Sequence, residues 1–266
     1  MFDQYNRLIN YLRISVTDRC NLRCVYCMPA EGIQLMQHND ILSYEEMYEV
    51  AKTGASMGIN KIRITGGEPL VRKGIVGFVE MLSGIKEIKD LGMTTNGILL
   101  EKYAGDLATA GLHRINISLD TMNADKFRQI TRGGNINSVF RGIEAAAKAN
   151  LLPIKINTVI RNNKEETDAV AVKEYCEKND LEIRYIHVME LSKGEFSVVE
   201  GGEGGDCANC NRLRLTANGM INPCLFSNIG YSVRKLGSKE AIRQALENKP
   251  ACGTVNEVGQ FYNIGG

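Results

Sequence analysis

The sequence lacks an excess of charge of either sign. Its 266 residues carry 32 lysines and arginines against 31 aspartates and glutamates, so the overall balance attracts neither duplex nucleic acid nor an anionic membrane surface. Any nucleotide it binds is expected to be a small molecule. Also missing are an apolar run near the ~20 residues of a membrane span and, in the first thirty residues, a charged start followed by an apolar stretch that would direct export. A soluble, cytoplasmic protein is expected. There is no internal repeat, and no Gly-rich phosphate turn follows the first strand-like segment, which argues against a doubly wound dinucleotide fold.

What is present is a hydrophobic fraction of 44%, enough for a sizeable core, and a rhythm of β-branched runs separated by helical patterns. The runs fall at 11–17, 61–65, 91–95, 114–119, 153–160 and 182–189. Ser43 with Glu46 three residues on forms a capping box leading into Met47, Val50 and Ala51. Alternation of this kind specifies parallel strands with right-handed crossovers. Six units are too few to close an eight-stranded barrel, so the fold class is α/β: a partial (β/α)6 TIM-like barrel with a small C-terminal domain. Catalytic groups of such folds gather at the C-terminal strand ends, where Thr17 leads into a cysteine loop, Thr65 into Gly66-Gly67-Glu68-Pro69, Thr94 into Asn96-Gly97 and Ser118 into Asp120. The division expected is 1–190 for the barrel, 191–205 for a Gly-rich acidic linker, and 206–266 for a C-terminal domain with one more helix near 239–247.

Six of the eight cysteines sit in two tight groups, which favours metal over disulfides. Cys176 and Cys252 stand alone and are expected to be small buried apolar side chains. Cys20, Cys24 and Cys27 follow a CxxxCxxC pattern. Three thiolates on a four-iron four-sulphur cluster leave one iron open to chelate the amino and carboxylate groups of another molecule. A zinc site is the competing reading, but zinc motifs usually supply four ligands in paired spacings. Cys207, Cys210 and, after residues 211–223, Cys224 form a second trio, read as a second cluster with an open iron that could hold a substrate. Between them Asn211-Arg212-Leu213-Arg214-Leu215 alternates, placing two guanidiniums on one strand face, an arrangement suited to phosphate.

The cysteine loop, with Tyr26 before its last cysteine, and the Gly66-Gly67-Glu68-Pro69 segment together resemble the radical S-adenosylmethionine superfamily. The resemblance implies a four-iron four-sulphur cluster, S-adenosylmethionine contacts at Tyr26, Gly66, Gly67, Glu68, Ser118 and Met189, and release of a 5'-deoxyadenosyl radical. Seven segments narrow it: 11–15, 63–69, 94–97, 116–120, 155–159, 210–214 and the terminal Ile264-Gly265-Gly266 look like the GTP 3',8-cyclases of molybdenum-cofactor biosynthesis, from about residue 8 to the end. That family implies a lyase in which the radical takes the ribose 3'-hydrogen and the sugar carbon attacks C8 of guanine. Carried over residue by residue, it puts Arg13, Arg63, Thr94, Lys155, Arg212, Leu213 and Arg214 around GTP. Catalytic roles fall to Arg13, Arg212, Arg214, Gly265 and Gly266. It further implies two clusters, an external one-electron donor and a homodimer.

One departure stands out. Only seventeen residues, 190–206, separate Met189 from Cys207, where the cyclases carry several tens more. Two readings follow: a trimmed cyclase, or a divergent radical enzyme with an auxiliary cluster acting on another substrate such as a peptide. The shorter span is also expected to leave the second cluster more exposed to oxygen. A non-enzymatic iron-sulphur or zinc binding module is a third reading, disfavoured because it needs neither the Gly-Gly-Glu-Pro segment nor Ser118 and Asp120 at strand ends.

Overall fold

The computed structural model describes residues 1–190 and 192–257. Six strands and the helices between them alternate through its first two thirds: β1 (Tyr11–Ser15), α1 (Tyr44–Ser56), β2 (Lys61–Thr65), α2 (Ile75–Ser83), β3 (Asp90–Thr95), α3 (Leu100–Thr109), β4 (Arg114–Ser118), α4 (Ala124–Thr131), α5 (Ile136–Lys148), β5 (Ile154–Ile160), α6 (Thr167–Lys178) and β6 (Glu182–His187). The capping box is formed: Ser43 Oγ accepts from Glu46 N at 3.1 Å and the Glu46 carboxylate from Ser43 N at 2.7 Å. It starts a helix whose buried stripe is Met47, Val50, Ala51, Gly54 and Ala55, the i, i+3, i+4 pattern of one face.

The strands pair in parallel and in sequence order from β1 to β6. Alternation across each strand divides the sheet into two chemistries. Leu12, Ile14, Ile62, Ile64, Leu91, Met93, Ile115, Ile117, Ile154 and Ile156 enter the core under the helices. Tyr11, Arg13, Lys61, Arg63, Arg114, Asn116 and Asn157 face the other way and line a cavity.

The C-terminal third adds β7 (Arg212–Leu215), β8 (Met220–Asn222), β9 (Tyr231–Ser232), α7 (Val233–Leu236) and α8 (Ser238–Glu247). β7 pairs in parallel with β1, and β8 and β9 follow antiparallel, giving a nine-stranded sheet in the order β6-β5-β4-β3-β2-β1-β7-β8-β9 among the described residues. Residues on the far side of the Gly-rich segment therefore continue the sheet. That segment makes single bridges, Tyr185 with Glu200 and Glu190 with Glu195, and it walls the cavity with Gly202, Glu203, Gly204 and Gly205. No described helix is long and apolar enough to cross a membrane.

Candidate active site

Two adjoining cavities open at the polar face. The first, about 220 Å³, is lined by Cys20, Cys24, Cys27, Tyr26, Gly66, Gly67, Glu68, Thr94, Ser118 and Met189, among others. Its cysteine loop leaves the end of β1 and is held by backbone. Gly67 N donates to Thr17 O at 2.7 Å and Glu68 N to Arg19 O at 2.8 Å. A Cβ on Gly67 would lie 2.4 Å from Arg19 O, so only glycine permits this approach. Arg132 Nη1, donating to Arg23 O and Met28 O at 2.9 and 2.8 Å, fixes the loop's far side.

Glu68 is buried, and its carboxylate accepts from Leu70 N, Thr95 Oγ1 and Asn96 N at 3.0, 2.8 and 2.7 Å. It thereby ties the ends of β2 and β3 together beneath the loop. Burial pushes this carboxyl up to about 7 against those donors. Tyr26 donates to Asp120 Oδ2 at 2.7 Å, and Asp120 Oδ1 accepts from Val159 N at 2.9 Å. Burial also pushes the three thiols up, Cys20 and Cys27 to about 11 and Cys24 to about 12.

The second cavity, about 180 Å³, is cationic. Strand register aligns Arg214, Arg13, Arg63, Gly92 and Arg114 across five strands. Gly92 makes room: a Cβ there would lie 2.1 Å from Arg63 Nη1. Arg63 is 2% exposed and donates to Asn116 Oδ1 at 3.4 Å, while its Nε has no partner among the described residues. Burial, with Arg13 and Arg212 close by, brings the Arg214 guanidinium down to about 9. Burial works against ionising the Tyr11 phenol, but Arg13, Arg63 and Arg212 outweigh it and bring the phenol down to about 7. Cys207, Cys210 and Cys224 line this same cavity.

Of the residues expected around GTP, Arg13, Arg63, Arg212 and Arg214 meet here. Thr94 lines the first cavity. Lys155 is ion-paired with Glu182 and lines neither cavity; Leu213 alternates into the core. Gly265 and Gly266 lie outside the described residues. Tyr11, Lys61, Arg114 and Arg184 line the cavity without having been singled out beforehand. The signal was available, since each stands two positions from a residue on the same strand face. Asn157, Ile186 and Met189 line both cavities and so mark where they join. Cys176 is buried as expected. Cys252 is not: it is exposed, its Sγ 2.7 Å from Cys207 Sγ. The expectation of burial fails because Cys252 follows the last helix on a surface segment held against the second cysteine group.

A parallel strand-helix fold with three thiols at a glycine-lined strand end is the architecture of radical S-adenosylmethionine proteins, and the Radical SAM superfamily profile matches residues 14–176. The GTP 3',8-cyclase of Thermodesulfovibrio yellowstonii is 42% identical, the alignment covering 92% of each chain. That of Geobacter sulfurreducens is 37% identical over 100% of this chain and 99% of that one. Within the superfamily, this chain belongs to the GTP 3',8-cyclase family. The Geobacter alignment spans 324 positions against the 266 residues here, so at least 58 of them have no residue of this chain. Among solved structures, Streptococcus suis SuiB bound to S-adenosylmethionine shares the fold, with a TM-score of 0.55 and 20% identity over 70% of this chain; this chain spans 42% of SuiB.

Membership implies a four-iron four-sulphur cluster and S-adenosylmethionine. The first cavity fits them: three free thiols face it, and Thr65 Oγ1 and Asn157 Oδ1, both on its lining, are buried without partners among the described residues. Such atoms call for a bound molecule.

Proposed function

We propose that this chain is a GTP 3',8-cyclase, a lyase converting GTP to (8S)-3',8-cyclo-7,8-dihydroguanosine 5'-triphosphate in the cytoplasm for molybdenum-cofactor biosynthesis. The single observation that carries the substrate is the arginine row. Arg114 is held by the Asp90 carboxylate, and Arg13, Arg63, Arg212 and Arg214 gather positive charge in one cavity, which a triphosphate complements in the shape that guanidinium forks bind.

Cys20, Cys24 and Cys27 would hold a four-iron four-sulphur cluster that, with S-adenosylmethionine and an external one-electron donor, would supply the 5'-deoxyadenosyl radical. The chain's residues do the rest. Gly66 and Gly67 bring the end of β2 against the cysteine loop. Ser118 and Met189 line the space beside it, and Met189 with Asn157 opens that space onto the nucleotide cavity. Arg13, Arg63, Arg212 and Arg214 hold the triphosphate so that the ribose 3'-carbon faces this junction. Cys207, Cys210 and Cys224, which line the nucleotide cavity, would hold a second cluster to bind the guanine. Gly265 and Gly266 keep the catalytic role that the family resemblance implies for them, and the enzyme works as a homodimer.

Anaerobic reconstitution followed by dithionite, S-adenosylmethionine and GTP tests this reading. The expected result is 5'-deoxyadenosine and cyclised nucleotide together. Deoxyadenosine without cyclised product, whether or not GTP is present, would leave the superfamily chemistry and sink the substrate. Removing Gly265 and Gly266 is expected to abolish product with iron content unchanged.

A further inference from the structure

The two cysteine trios and the buried Cys176 account for seven of the eight cysteines, and Cys252 belongs with none of them. Its Sγ lies 2.7 Å from Cys207 Sγ, both residues being free thiols. The pair is held by design of the backbone around it. Arg7, buried and ion-paired with Asp3 at 2.6 Å, donates to Cys207 O at 2.7 Å, to Ala251 O at 2.8 Å and to Pro250 O at 2.6 Å. One guanidinium therefore pins both chain segments that carry the two sulphurs. Lys249, 1% exposed, donates to Arg212 O at 2.8 Å and Pro223 O at 2.6 Å, and Thr254 N donates to Phe226 O at 2.9 Å. Residues 249–254 are thus fixed against the stretch bearing Cys210 and Cys224. Cys207, Cys210 and Cys224 line the arginine cavity, whereas Cys252 does not and is open to solvent.

We propose that Cys207 and Cys252 are a reversible dithiol-disulfide pair that gates cluster assembly at the second cysteine group. The gating rests on that group being a cluster site. The oxidant is a small-molecule disulfide. Exposed Cys252 gives up its proton as it attacks the oxidant, releasing one small thiol and leaving a mixed disulfide; Cys207 then attacks the Cys252 sulphur and releases the second. One sulphur-sulphur bond breaks in the oxidant and one forms in the protein, two electrons pass from the two cysteines to the oxidant, and the two protons leave on its thiols. In the disulfide state Cys210 and Cys224 remain as two ligands where the cluster needs three, so no iron is taken up. A small-molecule dithiol reverses the step and restores the trio.

The test uses the full chain with Cys20→Ala, Cys24→Ala and Cys27→Ala, so that the second group alone takes up iron. The iron-free protein is treated with oxidised glutathione, digested without reduction and mapped by mass spectrometry, with fragment spectra separating Cys207 from Cys210. The expected map joins Cys207 to Cys252. Iron and sulphide uptake by the oxidised protein, without added thiol, falls at least about tenfold and returns after dithiothreitol. Adding Cys252→Ser removes the link and leaves uptake by the untreated protein unchanged. A link to Cys210 or Cys224, no link at all, or a Cys207 to Cys252 link with normal iron uptake overturns the proposal. Reduced protein that takes up no iron overturns the cluster reading and the gating with it, while the mapped link still decides the disulfide by itself.

Discussion

Each cavity holds three thiols, yet the charge around them has opposite sign. Beside Cys20, Cys24 and Cys27 stand the carboxyls of Glu68 and Asp120, which add to the effect of burial on Cys20 and Cys24. Beside Cys210, burial also disfavours the thiolate, but Lys249 and Arg212 prevail and bring the thiol below its ordinary value. The difference matches two kinds of guest. S-adenosylmethionine carries a cationic sulfonium, which suits a site of carboxyls and neutral donors. GTP carries a polyanion, which suits the arginine row. One sheet provides both because carboxyl and amide groups stand at or just beyond its C-terminal strand ends while the cationic groups lie deeper along the strands.

The comparison breaks most sharply at the cysteines themselves. Cys24→Ala is expected to reduce 5'-deoxyadenosine formation to background, because the first cluster no longer forms. Cys224→Ala is expected to retain deoxyadenosine formation and lose cyclised nucleotide. Both products are measured chromatographically beside iron content, which should fall by about four per chain in each case. A Cys224 variant that also failed to cleave S-adenosylmethionine would mean that the two sites act as one.

Next in size comes Gly67→Ala. The added methyl meets the Arg19 carbonyl oxygen at 2.4 Å and the Asp18 oxygen at 2.9 Å, backbone atoms that cannot turn aside as a flexible side chain would. Overpacking of this kind costs about 3 kcal/mol, a fall in Tm of roughly 5–10 °C at this chain length. Calorimetry should show that fall together with loss of iron from the first site alone.

Much of this was legible in the sequence. The six parallel strands follow from β-branched runs, and each observed strand begins and ends within two residues of its run. The first cavity was legible because CxxxCxxC and Gly-Gly-Glu-Pro are local patterns that stay local when the chain folds. The second was only half legible, because a row of residues on five strands is written nowhere along the chain. Arg114 joins the row only through the register that sets it across Gly92 from Arg63, and Arg184, out of that register, comes near both only in the folded chain. Lys155 has the right type and the right face, but Glu182 on the neighbouring strand occupies it. The alternation of Arg212-Leu213-Arg214-Leu215 showed a strand face, but a run of four residues does not say which strand it joins, and the parallel pairing with β1 that puts its arginines beside Arg13 is visible only in the fold.

Arg184 and Lys155 therefore make a matched pair of substitutions. Arg184 lines the cavity and donates to Gly201 O at 3.2 Å. A hydrogen bond to a charged group contributes about 1.5–3 kcal/mol, so Arg184→Gln should weaken GTP binding roughly tenfold or more, measured by calorimetry on the reconstituted protein. Lys155→Gln, which breaks an ion pair with an exposed partner, should leave Kd within about twofold. The reverse order would move the triphosphate toward β5 and away from the arginine row.

The smallest effect is a titration. Tyr11 stands in register between Lys61 and Arg212, and its phenol titrates at about 7, below its ordinary 10.0. A group whose pKa is depressed by folding adds stability that is fully present above its unfolded value and is lost as pH falls through the folded one, here between 10 and about 7. Difference absorbance between the iron-free protein and Tyr11→Phe should show one phenolate appearing with a midpoint near 7. GTP should raise that midpoint, because triphosphate oxygens among the same guanidiniums remove the cationic field that favours phenolate and add negative charge of their own. Binding at pH 8 then takes up a proton, seen as a dependence of calorimetric heat on buffer ionisation. A midpoint that stayed near 7 with GTP bound would place the triphosphate away from Tyr11, at the Arg114 and Arg184 end of the cavity.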